Sequence, residues 1–231
     1  LPAELRQPLQ ITRRNIQQIG RDVAATGKMN ADNVRACGTA IVRAAREGSV
    51  PALLNVLRQH HNHSYVHSVK TSALLTLFGV HLKLKATDLE ILSEGGLLHD
   101  IGKVLVDPKI LDKRDKLNES EWEQMKRHPL NSAAVIRATE GLSKETALVA
   151  ERHHERIDGT GYPLGLKGEE IDDLSLIVTL ADVYATLTDQ TPYRPRYTPR
   201  EALEIMKQGS GTQFEPNFLA HFESMVIKEF C

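Results

Sequence analysis

Apolar positions recur at helical spacing along almost the whole chain. From His67, the residues Val69, Ala73, Leu74, Leu77 and Val80 fall on one helical stripe. Leu89 to His99 is a second apolar stretch of helical length. Leu176, Ile177, Leu180, Val183, Tyr184 and Leu187 mark one face of a third helix. The residues between the stripes predict where helices start and stop. Pro51, just after Ser49, suits a first helical turn. Asn118 with Glu121 forms a capping box for a helix ending near His128, and Pro129 restarts one that Gly141 closes. Ser143 caps a helix running through Ala147 and Ala150 to His153. Thr198, Pro199 and Glu201 combine a cap, a first-turn proline and a capping box, and Pro216 opens the last helix. Strand alternation is nearly absent, so the predicted class is all-α. Residues 1–50, punctuated by Gly48, read as an N-terminal helical extension or linker that packs on the rest or dimerises. Residues 51–231 read as the main domain.

One segment breaks the helical pattern. Asp158 to Asp173 carries Gly159, Gly161, Pro163, Gly165 and Gly168. A loop this long inside a compact domain is usually functional.

Composition narrows the function. The 231 residues are enough for a core without disulfides, and 41% hydrophobic with 26% charged residues is an ordinary globular profile. Aromatics at 5% leave no surplus for stacking single-stranded bases, and a net charge of -1 argues against binding a nucleic-acid polymer. A small anionic substrate stays open, because the field in a cleft does not follow net charge. Cys37 and Cys231 are too few and too far apart for a disulfide framework, which points to a reducing, cytoplasmic setting. No apolar run reaches the length of a membrane span, and no basic-then-apolar leader opens the chain. The first residue is Leu1, so the chain reads as a piece of something longer.

The histidines fall at telling places. His99-Asp100 closes an apolar helix, His153-His154 closes another just before the glycine loop, His128 ends a third, His67 begins one and Asp182 lies within one. Polar groups beside helix cores must be paired or must bind something. Imidazole and carboxylate suit iron, manganese or zinc, and a carboxylate can bridge two ions. Taken singly, a buried histidine is more often a satisfied core residue than a ligand. His81 follows His67 by fourteen residues on the same stripe. At about 1.5 Å per residue that is roughly 21 Å, too far to share a metal. His63 shares a face with His67 if the helix is continuous, and "HHNHS" is equally readable as irregular.

The strings "HSVK" at His67, "LLHDIGK" at Leu97 to Lys103, "MKRHP" at Met125 to Pro129, "HHERIDGTGYP" at His153 to Pro163 and "LADVYATLTDQTPYR" at Leu180 to Arg194 occur in that order. Together they resemble the HD-GYP family, a branch of the HD superfamily of metal-dependent phosphohydrolases, over about residues 60–222. The resemblance implies an HD-superfamily helical bundle that hydrolyses cyclic di-GMP or a related cyclic dinucleotide with two or three transition-metal ions, iron or manganese by ligand type. The implied ligands are His67, His99, Asp100, His128, His153, His154 and Asp182, with Asp100 bridging. Lys103 is implied beside the scissile phosphate. Arg194, Tyr162 and Gly161 are implied on the substrate side, and the loop around Tyr162 is also open to a protein partner. Two positions depart from the family pattern. Ala185 replaces the second aspartate of DVYDAL, and Thr191 replaces an arginine. They bear on substrate identity and turnover, and they keep open a module that binds nucleotide or a partner with little turnover. A hydrolase of mononucleotides is a third reading, which the GYP loop disfavours.

Overall fold

The computed structural model describes residues 3–57, 63–190 and 195–231, with the side chains of 3–11 and of 63–64 left out of the description. Thr191 and Arg194 therefore lie outside the described residues, as do His60 and His61. The helices run in the order α1 (Ala3–Thr26), α2 (Ala31–Arg46), α3 (Val50–Leu57), α4 (His63–His81), α5 (Ala86–Leu98), α6 (Pro108–Leu111), α7 (Glu119–Met125), α8 (His128–Arg137), α9 (Lys144–Arg152), α10 (Asp173–Leu187), α11 (Pro199–Lys207) and α12 (Pro216–Phe230). Short 3-10 turns cover Ile101–Leu105 and Gly168–Glu170. Among the described residues there is no strand, as the all-α reading expects.

The predicted caps form. The Asn118 and Thr198 side chains close capping boxes with Glu121 and Glu201, and Ser143 accepts from the Thr146 amide at 3.0 Å. One boundary differs from the sequence reading. His128 opens α8, and α7 stops at Met125. Proline at the second position of α8 needs no amide partner there, so the chain turns before it.

Helix α4 sits at the centre, packed against α2, α5 and α10, and α5 also packs on α9. Gly95 and Gly96 lie inside α5, where glycine costs about 1 kcal/mol against alanine. Close packing is the reason. A Cβ on Gly96 would lie 2.7 Å from the Ser72 Cα of α4, and one on Gly95 would lie 2.6 Å from Val149 of α9. The Ser72 hydroxyl donates to the Ser93 carbonyl at 2.6 Å across the same contact. Phe78, Leu92, Leu98, Ile136, Ile177, Leu180 and Phe222 fill one shared core, which also takes Ile19, Val34 and Ile41 from α1 and α2. The tight α4–α5–α9 contact draws the ends of α5 and α9 toward the start of α4. No helix among the described residues is long and apolar enough to cross a membrane.

Candidate metal centre

Three histidines are oriented by one repeated device. A helix leaves its last carbonyls without intrahelical partners. His99 follows α5, and its Nδ1 lies 2.8 Å from the Gly96 carbonyl. His128 follows α7 with Nδ1 2.8 Å from the Met125 carbonyl, and His153 follows α9 with Nδ1 2.7 Å from the Ala150 carbonyl. A carbonyl only accepts, so each Nδ1 must carry the hydrogen. In a neutral ring Nε2 is then a bare lone pair. All three Nε2 atoms aim at Asp100.

Those lone pairs meet one another. His128 Nε2 and His153 Nε2 are 3.2 Å apart, and Asp100 Oδ1 lies 3.2 Å and 3.7 Å from them. Asp100 Oδ2 lies 3.5 Å from His99 Nε2. The His99 Nε2 and Asp100 Oδ1 atoms are buried and have no hydrogen-bond partner. Acceptors facing acceptors in a buried site are costly unless a cation sits among them. The donor set therefore fits metal ions. Two groups of ligand atoms are compact enough to hold one each, His67 with His99 and Asp100, and His128 with His153 and His154. Asp182 Oδ1 joins the first group, 2.9 Å from His67 Nε2 and 3.6 Å from His99 Nε2. The structure thus brings together all seven residues singled out for metal in the sequence.

Electrostatics separates the two sides. Burial pushes the Asp100 carboxyl up, but any proton that His99 takes, together with the Lys103 ammonium, holds it well below the usual carboxylate range. Burial, with His154 and His99 alongside, keeps His153 neutral, and burial takes His154 down to about 4. Neutral imidazole is the ligating form. His67 runs the other way. Burial lowers it, yet Asp182 and Asp189 outweigh that and raise it to about 10.

The remaining predicted residues are placed as follows. Lys103 lies on the 3-10 turn after Asp100, and its Nζ donates to Asp100 Oδ2 at 2.6 Å. Tyr162 packs its ring 4.6 Å from that of His154 and 5.8 Å from that of the half-exposed Trp122. Burial raises the Tyr162 phenol, so it stays protonated and can donate. Gly161 is where the loop doubles back on the segment that follows α9. A Cβ there would lie 2.5 Å from the Arg156 amide nitrogen and 2.6 Å from the His154 carbonyl oxygen. His81, excluded on distance, stands at the far end of α4 with its ring 6.3 Å from that of His221. Arg156 pairs with Asp158 at 3.5 Å.

Three residues that sequence reasoning passed over support the site. Glu155 is buried, and its carboxylate accepts from the Leu164 amide at 2.7 Å and the Leu166 amide at 2.9 Å. It ties the glycine loop beside His154. Glu155→Gln keeps the size but turns one acceptor into a donor facing an amide. We expect a soluble, folded variant whose Leu164 and Leu166 amides exchange markedly faster, by about tenfold or more per 1.4 kcal/mol lost, read by hydrogen exchange. Unchanged exchange would remove Glu155 from the account. Ser132 of α8 donates to the His99 carbonyl at 2.7 Å and accepts from the Gly102 amide at 2.8 Å, fixing the His99-Asp100 turn. Asp189 faces His67. Its sequence signal was its place two helical turns beyond Asp182.

The helical bundle and its clustered imidazoles and carboxylates define a domain of the HD class, a metal-dependent fold. A family model described as "HD domain" matches residues 51–218, and the chain belongs to that family, in its HD-GYP branch. It is 35% identical over 181 residues to Cyclic di-GMP phosphodiesterase PA4108 of Pseudomonas aeruginosa, covering 78% of this chain and 42% of the relative. It is 36% identical over 154 residues to 3'3'-cGAMP-specific phosphodiesterase 3 of Vibrio cholerae, covering 67% of this chain and 33% of the relative. The chain thus spans less than half the length of these curated relatives. Among solved structures, Bd1817, an HDG"Y"P protein from Bdellovibrio bacteriovorus, superposes with TM-score 0.70 at 19% identity over 94% of this chain and 70% of that one. That likeness supports the fold alone.

Proposed function

We propose that this chain is a metal-dependent phosphodiesterase that opens a cyclic dinucleotide, cyclic di-GMP or a close relative, to the linear dinucleotide. The observation that carries the reading is Asp100, with Oδ2 facing His99 and Oδ1 facing His128 and His153. One carboxylate between two histidine groups suits two bridged cations, with His67, His99 and Asp182 on one side and His128, His153 and His154 on the other. Such a pair supplies water of lowered pKa and neutralises phosphoryl oxygens. Mixed nitrogen and oxygen donors favour iron or manganese.

The chain's own residues prepare the rest. The helix-end carbonyls hold the rings of His99, His128 and His153 in place before anything binds, so little reorganisation is needed there. Lys103 holds its ammonium on Asp100 while its side chain stays 38% exposed, so it borders both the carboxylate and the open side where a phosphodiester enters. Tyr162 and Gly161 line the approach over His154. The relatives named for cyclic di-GMP and 3'3'-cGAMP support the substrate class. Cys37 and Cys231 are free thiols, which supports a cytoplasmic setting.

The test is elemental analysis after anaerobic reconstitution with iron or manganese, followed by turnover of cyclic di-GMP, 3'3'-cGAMP and a mononucleotide. The reading expects two or more ions and a linear dinucleotide product. Two ions with no cyclic dinucleotide turned over would replace it by a nucleotide-binding module. Turnover of the mononucleotide alone would replace it by a nucleotidase.

A further inference from the structure

His67 is the histidine of the centre that lies inside a helix. The rings of His99, His128 and His153 are set by unpaired helix-end carbonyls. His67 is inside α4, where the neighbouring carbonyls are taken by the helix itself. Its Nδ1 needs an acceptor from elsewhere, and Asp189 Oδ2 stands 3.5 Å away. Asp189 follows the end of α10 by two residues. It is held there by Lys70, a buried lysine one helical turn after His67, whose Nζ donates to Asp189 Oδ1 and, at 2.9 Å, to the Ala185 carbonyl. That carbonyl belongs to the last turn of α10, so Lys70 also caps the helix end.

We infer that Asp189, anchored by Lys70, is the positioning residue for His67 and sets cation affinity on the His67–Asp182 side of the centre alone. Histidine ligands hold their orientation through the second ring nitrogen, and a carboxylate there also strengthens the donor. The pair answers the substitution at position 185. Where the family pattern has a second aspartate, Ala185 offers only its carbonyl to Lys70, and Asp189 supplies the carboxylate. The inference rests on the two-cation part of the proposed function and not on its substrate.

The experiment uses the full chain, stripped of metal and titrated with Mn²⁺ alone by calorimetry, with bound metal counted by elemental analysis. Wild type is expected to bind two ions. Asp189→Asn is expected to weaken one binding step by about 10- to 100-fold and leave the other unchanged. If that variant does not fold, Lys70→Met with Asp189→Asn removes the buried charge pair together, and the same one-sided loss is expected. Two unchanged steps in a two-ion protein would overturn the inference and leave the two-cation reading intact. Equal weakening of both steps with a lowered melting temperature of the metal-free protein would make Asp189 merely structural and overturn it too. A wild type that binds fewer than two ions would overturn the inference and the two-cation reading together.

Discussion

Asp100→Ala is expected to abolish turnover and strip the centre of metal while the metal-free protein stays folded. The carboxylate stands between three bare imidazole nitrogens, and Oδ1 has no hydrogen-bond partner. In the metal-free chain its removal costs the ion pair with Lys103 but also takes a carboxylate away from crowded imidazole nitrogens, so some stability is lost and the fold is expected to persist. With cations the cost is larger. Two dications held close would repel strongly, and a carboxylate between them would screen that repulsion. The measurement is thermal unfolding with and without Mn²⁺. Binding at a hundredfold excess over Kd stabilises by about 2.7 kcal/mol per site. For a chain of 231 residues that is a rise of roughly 5–11 °C. Wild type should show the rise and Asp100→Ala should lose most of it. His81→Ala, at the far end of α4, should behave as wild type. If Asp100→Ala and His81→Ala gave the same metal-dependent shift, the bridge would be wrong.

What could be read in advance follows from how local the cause is. Caps at Asn118, Ser143 and Thr198 are written within four residues, and the helices start where those residues say. The histidine positions were also legible, because imidazoles at the ends of apolar helices stand out against the pattern around them. Why they stand there was not. The back-bond from Nδ1 to the third carbonyl upstream appears only once the helix end is seen, and His128 itself proves to start α8 and not to end α7. The supports of the site were hidden for a different reason. Glu155 acts on amides nine and eleven residues on, Lys70 on a helix 115 residues away, and Ser132 on a turn some thirty residues back. Nothing in their immediate neighbours marks such partners. Gly95-Gly96 is the instructive intermediate case. The pair lowers the helical signal of α5, and the cause is the tight approach of α4 and α9 that assembles the centre.

Lys103→Met is expected to lower kcat on the order of a hundredfold with little change in KM or in bound metal. The structure offers two roles for this side chain. Its ammonium could serve Asp100, to which it donates at 2.6 Å, or it could serve the phosphodiester. The first role predicts loss of metal, because Asp100 would lose the ammonium that holds its Oδ2 in place. Once cations occupy the centre, Asp100 has stronger partners than an ammonium, and the 38%-exposed lysine can turn toward the entering phosphate. A positive charge beside phosphorus gains most when negative charge builds up on the phosphoryl oxygens, and a contact of that kind is felt in kcat and not in KM. Steady-state kinetics on cyclic di-GMP, with single-turnover controls so that KM reports binding, separates the roles. Lys103→Arg should recover part of the rate by keeping the charge. A Lys103→Met variant that lost metal in proportion to its lost rate would assign the lysine to Asp100 and not to the substrate.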